Sequence, residues 1–297
     1  LHDIPLVLGT VQLGVSYGVA NKTGCPDQSS AISIVREAWE NGIREFDTAQ
    51  GYGKSERVLG QALEVLGFAH EARIVTKFDP NLDHLDDRIM ASALDKSLGN
   101  LGQSSLYAMM LHREDLLSIW DCGLSDVLGG FVARGKIEKV GFSVYSPDKA
   151  LEALNTDGVD IVQLPTNVLD RRFETAGVFQ LAMEKQKIVY IRSVFLQGLI
   201  LMEEEEIPER MAFAKPFIRR FESLSKELGF TRRELALGYI KHGFPGTKLV
   251  FGAELSGQVR ANCSSWEKEI PASLVPLIRE NFTDVDHRVL NPSLWSK

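Results

Sequence analysis

An α/β fold of the (β/α)8 TIM-barrel class, as one domain over residues 1–297, is what this sequence predicts. Three observations predict it. Apolar runs of strand length alternate with stretches of helical period along the chain, with no long linker between them. Polar residues able to do chemistry follow several of those runs directly, and a barrel of parallel strands brings such residues to one mouth. No Gly-x-Gly-x-x-Gly follows the first strand, as a doubly wound dinucleotide-binding sheet would require.

Pro5-Leu6-Val7-Leu8-Gly9 reads as the opening strand, and Gly14–Gly18 as a loop. Ile32, Val35 and Trp39 then fall at helical spacing, with Gly42 placed to end that helix. Strand 43–47 follows. Ser55 is expected to cap the next helix, whose buried stripe is Val58, Leu59, Ala62, Leu63 and Leu66. Strand 74–77 leads to helix 86–101, strand 106–112 to helix 114–134, and strand 137–143 to helix 147–155. Strand 159–164 precedes helix 172–186, and strand 188–194 precedes helices within 208–242. Strand 247–251 precedes helix 255–268. With Leu6–Leu8 the strands approach eight. The acidic run Glu203–Glu206 sits in the long connection after strand 188–194, as a solvated loop or a lid over the mouth. The tail 270–297 reads as one helix, about 271–281, followed by irregular chain, with Trp295 on the rim.

Composition narrows the function. Of 297 residues, 44% are hydrophobic and 25% charged, and the net charge is −7. That balance disfavours a nucleic-acid groove but allows a small anionic ligand on helix-end N–H groups. Cys25, Cys122 and Cys263 are few, odd in number and far apart, which points to a reducing compartment and a cytoplasmic location. No apolar run approaches the ~20 residues that span a bilayer. No signal peptide is expected, and because the chain opens at Leu1, native residues are expected before it. His2, His70, His84, His112, His242 and His287 are too dispersed for a metal set. No Gly-x-Ser-x-Gly marks a hydrolase. A monomer is the default expectation.

The chemistry lies in Asp47, Tyr52, Lys77 and His112, each just after a predicted strand. A phenol is a poor acid at neutral pH, with a pKa of ~10. Lys77 could stabilise the Tyr52 phenolate, Asp47 could keep Lys77 charged, and His112 could orient a carbonyl oxygen. Taken singly, each has a plain structural explanation: a turn cap, a loop aromatic, a solvated lysine, a core-edge histidine. Four such residues at four strand ends are a proton-transfer constellation that lacks a source of hydride, so a nicotinamide cofactor is implied.

Here the chain resembles the aldo-keto reductase family, over nearly its whole length. Phe46-Asp47-Thr48-Ala49-Gln50-Gly51-Tyr52-Gly53 with Ser55-Glu56, Val75-Thr76-Lys77 and Leu111-His112-Arg113 are similar to the family's Asp/Tyr, Lys and His segments. The resemblance implies NAD(P)H-dependent reduction of an aldehyde or ketone, or its reverse, with Asp47, Tyr52, Lys77 and His112 as the tetrad. It also implies cofactor contacts. Thr10 follows the first strand. Gly141-Phe142-Ser143-Val144 resembles the carboxamide-holding segment, with Ser143 in place and Val144 where Asn is usual. Gln163 would be the other carboxamide ligand. Arg192 stands where an aromatic ring often stacks on the nicotinamide, and Ser193, Phe195, Gln197 and Gly198 continue that segment. Gly252, Ala253, Gln258 and Asn262 fall at the adenine end. Gly252 and Gln258 replace the usual 2′-phosphate cations, and Glu254 would repel a phosphate unless Arg260 turns inward. The resemblance implies NADP(H) as the cofactor, and this charge balance weakens that preference and leaves NAD(H) open.

Two other functions compete. A Schiff-base aldolase could use Lys77, but Asp47 opposes the lowered pKa it needs. A cofactor-binding regulatory protein with little turnover would explain Val144 and Arg192. The partner is a small carbonyl or alcohol in either redox reading. Tyr17, Trp120, Phe195 and Trp295 are candidate pocket walls, and the substrate itself is not legible.

Overall fold

The computed structural model describes residues 4–295. His2 and the chain's first residue therefore lie outside the described residues. Eight parallel strands close into a barrel in sequence order: β1 (Leu6–Gly9), β2 (Glu45–Asp47), β3 (Arg73–Lys77), β4 (Leu106–Leu111), β5 (Ile137–Ser143), β6 (Ile161–Pro165), β7 (Ile188–Arg192) and β8 (Lys248–Gly252). β1 pairs with both β2 and β8, which closes the ring. The predicted fold class holds, and Leu6–Gly9 supplies the eighth strand.

Side chains alternate faces along a strand. Val7, Val75, Ala108, Met110, Ile161, Tyr190 and Val250 form a buried cluster separate from the larger core between strands and helices. They fill the barrel's interior. Two residues further along each strand, on the same face, stand Gly9, Lys77, His112, Gln163, Arg192 and Gly252. Period two thus carries an apolar lumen straight into a polar mouth. The other end is closed by Glu45, 3% exposed, which accepts the Tyr190 hydroxyl at 2.6 Å and pairs with Arg73 and Lys248.

Three local expectations fail for identifiable reasons. Ser55 does not cap helix Ser55–Leu66; it is the first helical residue, and Lys54 holds the cap position without a side-chain bond. The Ser55 hydroxyl instead donates to the Thr10 carbonyl at 2.7 Å and accepts from Thr48 at 2.9 Å. The predicted helix 114–134 is two, Glu114–Cys122 and Leu124–Ala133, bent by 85° where Gly123 takes φ 113°. The predicted helix 172–186 divides into Arg172–Thr175 and Val178–Glu184 at Gly177, φ 77°. Left-handed glycines break helices without interrupting the apolar pattern. The tail carries short helices at Leu274–Asn281 and His287–Leu290, and Trp295 packs against the core. Among the described residues no single helix is long and apolar enough to cross a membrane, and no group of His, Cys, Asp and Glu is placed to hold a metal ion.

Candidate active site

Lys77 is fully buried at the end of β3. Its ammonium donates to both Asp47 carboxylate oxygens, at 2.7 and 2.8 Å, and to the Thr48 carbonyl at 3.0 Å. Asp47 also accepts from the Gln163 amide at 2.8 Å. A buried ammonium is tolerated only when its charge and donors are both met. The Asp47 backbone is fixed in turn by Thr10, whose N–H and hydroxyl both donate to the Asp47 carbonyl. Glu56, buried at the start of helix Ser55–Leu66, accepts from Thr76 beside Lys77, from Ser97 and from Asn100.

Tyr52 lies on the loop after β2, and glycines set its position. A Cβ at Gly14 would stand 1.7 Å from the Tyr52 carbonyl oxygen, and Gly53 takes φ 60° against the Gly14 carbonyl. Only a glycine pair allows the two loops to touch this closely. Lys77 Nζ then lies 5.4 Å from the centre of the Tyr52 ring. His112 meets Tyr52 edge to face, with ring centres 5.6 Å apart.

The electrostatics differ from the expectation that Lys77 lowers the Tyr52 pKa. Burial first, then the Asp47 charge, hold the Tyr52 phenol well above 10, and the opposing cation is Arg192. Asp47 neutralises Lys77, so the pair presents little net positive charge to the phenol. Burial also lowers the Lys77 ammonium, against the pull of Asp47. His112 is pushed down to about 3 by burial, then by the charges of Lys77 and Arg192. It is a neutral imidazole at physiological pH, and its Nδ1 is buried without a partner.

These groups meet at a cavity of about 530 Å³ lined by Asp47, Tyr52 and His112. Of the anticipated cofactor residues, Thr10, Ser143, Gln163, Arg192, Ser193, Phe195, Gln197, Gly198, Gly252, Gln258 and Asn262 all line it. Ala253 does not; it packs in the core, 3% exposed. Gln258 is partly committed, since its carbonyl oxygen accepts from Glu254 N and Leu255 N and caps helix Ser256–Glu267. The Glu254 and Leu255 N–H groups, just before that helix, are therefore taken. Arg260 does not turn inward; it pairs with Glu37 at 2.6 Å.

The residues also fit a dinucleotide by their unmet needs. The Asn262 carbonyl oxygen is buried without a partner, as an acceptor for an adenine amino group would be. Ser193, Leu196 and Gln197 adopt positive φ in one loop, beside Gly198. Such backbone cost, of order 1–3 kcal/mol each, concentrates where a ligand is clamped. Sequence reasoning missed Gln12, Tyr145 and Arg233, which line the same cavity. Arg233 lies inside a Thr231–Glu234 capping box, and nothing in its spacing marks it as inward. Of the candidate walls, Tyr17 and Phe195 line the cavity, whereas Trp120 is buried against Phe142 and Trp295 donates to the Arg288 carbonyl. The acidic run is tied down by ion pairs of Glu203 with Arg232, Glu204 with Arg219, and Glu206 with Lys22 at the cavity rim.

Comparison with known proteins agrees with this architecture. The model of the aldo/keto reductase family matches residues 5–281. The chain is 24% identical over 186 residues to aldo-keto reductase YhdN of Bacillus subtilis, covering 60% of this chain and 55% of that one. It spans from 29% to 55% of the length of the curated relatives it matches. Among solved structures, the holo form of aldo-keto reductase AKR11C1 from Bacillus halodurans superposes with a TM-score of 0.76 at 22% identity, covering 98% and 96% of the two chains. An aldo/keto reductase from Klebsiella pneumoniae in complex with NADP and acetate gives 0.72 at 19% identity, covering 94% and 91%. These likenesses carry the fold. The family match over most of the sequence carries the assignment: this chain belongs to the aldo/keto reductase family.

Proposed function

We propose that this protein is an NAD(P)H-dependent oxidoreductase that reduces an aldehyde or ketone to an alcohol, or runs the reverse. The observation that carries the reading is the buried Lys77–Asp47 pair beneath Tyr52, at one cavity with His112. A nicotinamide dinucleotide, when bound, supplies the hydride. NADP(H), which the Klebsiella structure contains, is the proposed cofactor, with NAD(H) admitted by Glu254 in the cavity.

The chain's own residues do the rest. Tyr52, kept protonated by burial, donates its proton to the carbonyl oxygen as negative charge develops there. Neutral His112, with Nδ1 left as a bare acceptor, directs its Nε2–H at the same oxygen and fixes the carbonyl. Lys77 and Asp47 hold the site's shape and local field. Ser143 and Gln163 would hold the carboxamide, and Arg192 would lie beside the nicotinamide. Thr10, Ser193, Phe195, Gln197 and Gly198, which line the cavity, would hold the phosphates, while Gly252, Gln258 and Asn262 would hold the adenosine end.

Titration of the protein with NADPH and NADH, followed by quenching of Trp fluorescence, tests the cofactor. Turnover of a carbonyl panel, followed by loss of reduced cofactor absorbance, tests the chemistry. Binding with turnover is expected. Absence of binding by either cofactor refutes the reading. Tight binding without turnover across the panel supports instead a regulatory cofactor-binding protein.

A further inference from the structure

We propose that Arg192 anchors an anionic group on the substrate, so that the preferred carbonyl compounds carry a carboxylate or a phosphate. This deepens the oxidoreductase reading and rests on it.

Arg192 shares the inward face of β7 with Tyr190, two residues before it, and so is carried to the mouth where Tyr52 and His112 stand. Its guanidinium is pinned: it lies 4.4 Å from the centre of the Tyr145 ring, and donates to the Val144 carbonyl at 3.3 Å and the Ser193 hydroxyl at 3.4 Å. A guanidinium has five N–H donors, and these two bonds leave three.

A census of charge in the cavity shows what those donors lack. Asp47 is taken by Lys77, and Glu206 by Lys22. Glu254 bonds to Gln258 at the start of the last barrel helix, and burial raises its pKa. No carboxylate pairs with Arg192 among the described residues, which excludes the ordinary explanation of a salt bridge at the mouth. The charge is felt by its neighbours: it opposes protonation of Lys77 and His112 and favours ionisation of Tyr17 and Tyr52. A half-buried cation with no carboxylate partner, set beside phenols and a neutral imidazole, is costly without a counterion. An arriving anion relieves that cost, and a carboxylate or phosphate oxygen pair matches the fork of N–H groups. An anion fixed there lies within electrostatic reach of both Tyr52 and His112. A carbonyl on the same molecule is thereby brought to the proton donor.

Arg233 also lines the cavity, with its Nε buried and unpartnered. It stands on another element, helix Arg232–Gly243, and burial is the cause that depresses its pKa, with no contribution from the other cavity charges. It is the natural contact for a cofactor phosphate, and this division of labour is what the experiment must resolve.

The test uses the full chain saturated with its tighter-binding cofactor. Calorimetry compares benzoate with benzamide, two unreactive molecules of one shape that differ in charge. Benzoate is expected to bind about 10- to 100-fold more tightly, the range of a charge-assisted contact. Arg192→Met is expected to bring the ratio near one, and Arg192→Lys to restore part of it. Turnover then compares 4-carboxybenzaldehyde with its methyl ester, and glyceraldehyde 3-phosphate with glyceraldehyde. The pair whose charged member loses its advantage in Arg192→Met identifies carboxylate or phosphate. Equal binding of benzoate and benzamide by the wild type overturns the proposal, and that result needs no variant to fold. A benzoate preference that Arg192→Met leaves intact also overturns it, as does a variant that weakens cofactor binding while both ratios stay fixed. If the wild type turns over no carbonyl but still prefers benzoate through Arg192, the oxidoreductase reading fails while the anion site stands.

Discussion

Replacing Asp47 by Asn removes one charge from a pair that is wholly inside the protein. Lys77 is 0% exposed, and Asp47 accepts two of its N–H bonds, at 2.7 and 2.8 Å. The amide keeps the size of the carboxylate, so packing is nearly unchanged. What changes is that a buried ammonium loses its counterion, and the new NH2 group has no acceptor where Gln163 already donates. Breaking a buried pair from one side costs about 3–5 kcal/mol. Urea unfolding without cofactor, with m unchanged, measures it. Asp47 is also the group that holds the Lys77 pKa up against burial. In the variant the folded-state pKa therefore falls further below the unfolded value of ~10.4. Between those two values the unfolded chain binds more protons than the folded one, so stability rises with pH. The variant should regain stability from neutral pH towards pH ~10 more steeply than the wild type. Adding Lys77→Met should recover part of the loss by removing the orphaned charge. A loss below about 1 kcal/mol, the level of an exposed pair, with no steeper pH response, would refute the reasoning.

Three further outcomes are expected. His112 titrates at about 3 when folded and near 6.5 when unfolded, so stability falls as pH drops through that interval. His112→Gln should flatten the fall in urea midpoint between pH 7 and 5, and parallel slopes would mean that His112 is not held neutral. Gly14→Ala places a Cβ 1.7 Å from the Tyr52 carbonyl oxygen. It should cost about 1–3 kcal/mol by thermal melting and displace Tyr52, so an unperturbed melt with full turnover counts against the loop packing described. Glu254→Ser should raise the ratio of NADPH to NADH affinity by about 10-fold, the effect of one removed like charge. Arg260→Ala should leave that ratio alone, because Arg260 is held outside the cavity by Glu37.

The strand ends were legible because an apolar run followed at once by Asp47, Lys77 or His112 is visible in sequence, and period two fixes which face continues inward. The helix breaks at Gly123 and Gly177 were not. The apolar spacing runs on through Leu116, Leu117, Trp120, Leu124, Leu128 and Phe131, all buried, so one long helix and two bent ones read alike. Ser55 misled because a serine before an apolar stripe usually caps, whereas here the hydroxyl was needed between Thr10 and Thr48. Arg233 was invisible because helical spacing does not say which partly polar face meets a cleft. The Tyr52 electrostatics were misjudged because sequence shows charges but not desolvation, and desolvation dominates at this site.

Tyr52→Phe removes a single oxygen and leaves the ring against His112 and Lys77. Its cofactor affinity and carbonyl turnover, measured together, probe the proton-donor role with little else disturbed. Affinity within about threefold of wild type, with kcat/KM lower by 100-fold or more, is the predicted result, in the range set by loss of a general acid. Turnover equal to wild type would take the phenol out of the reaction.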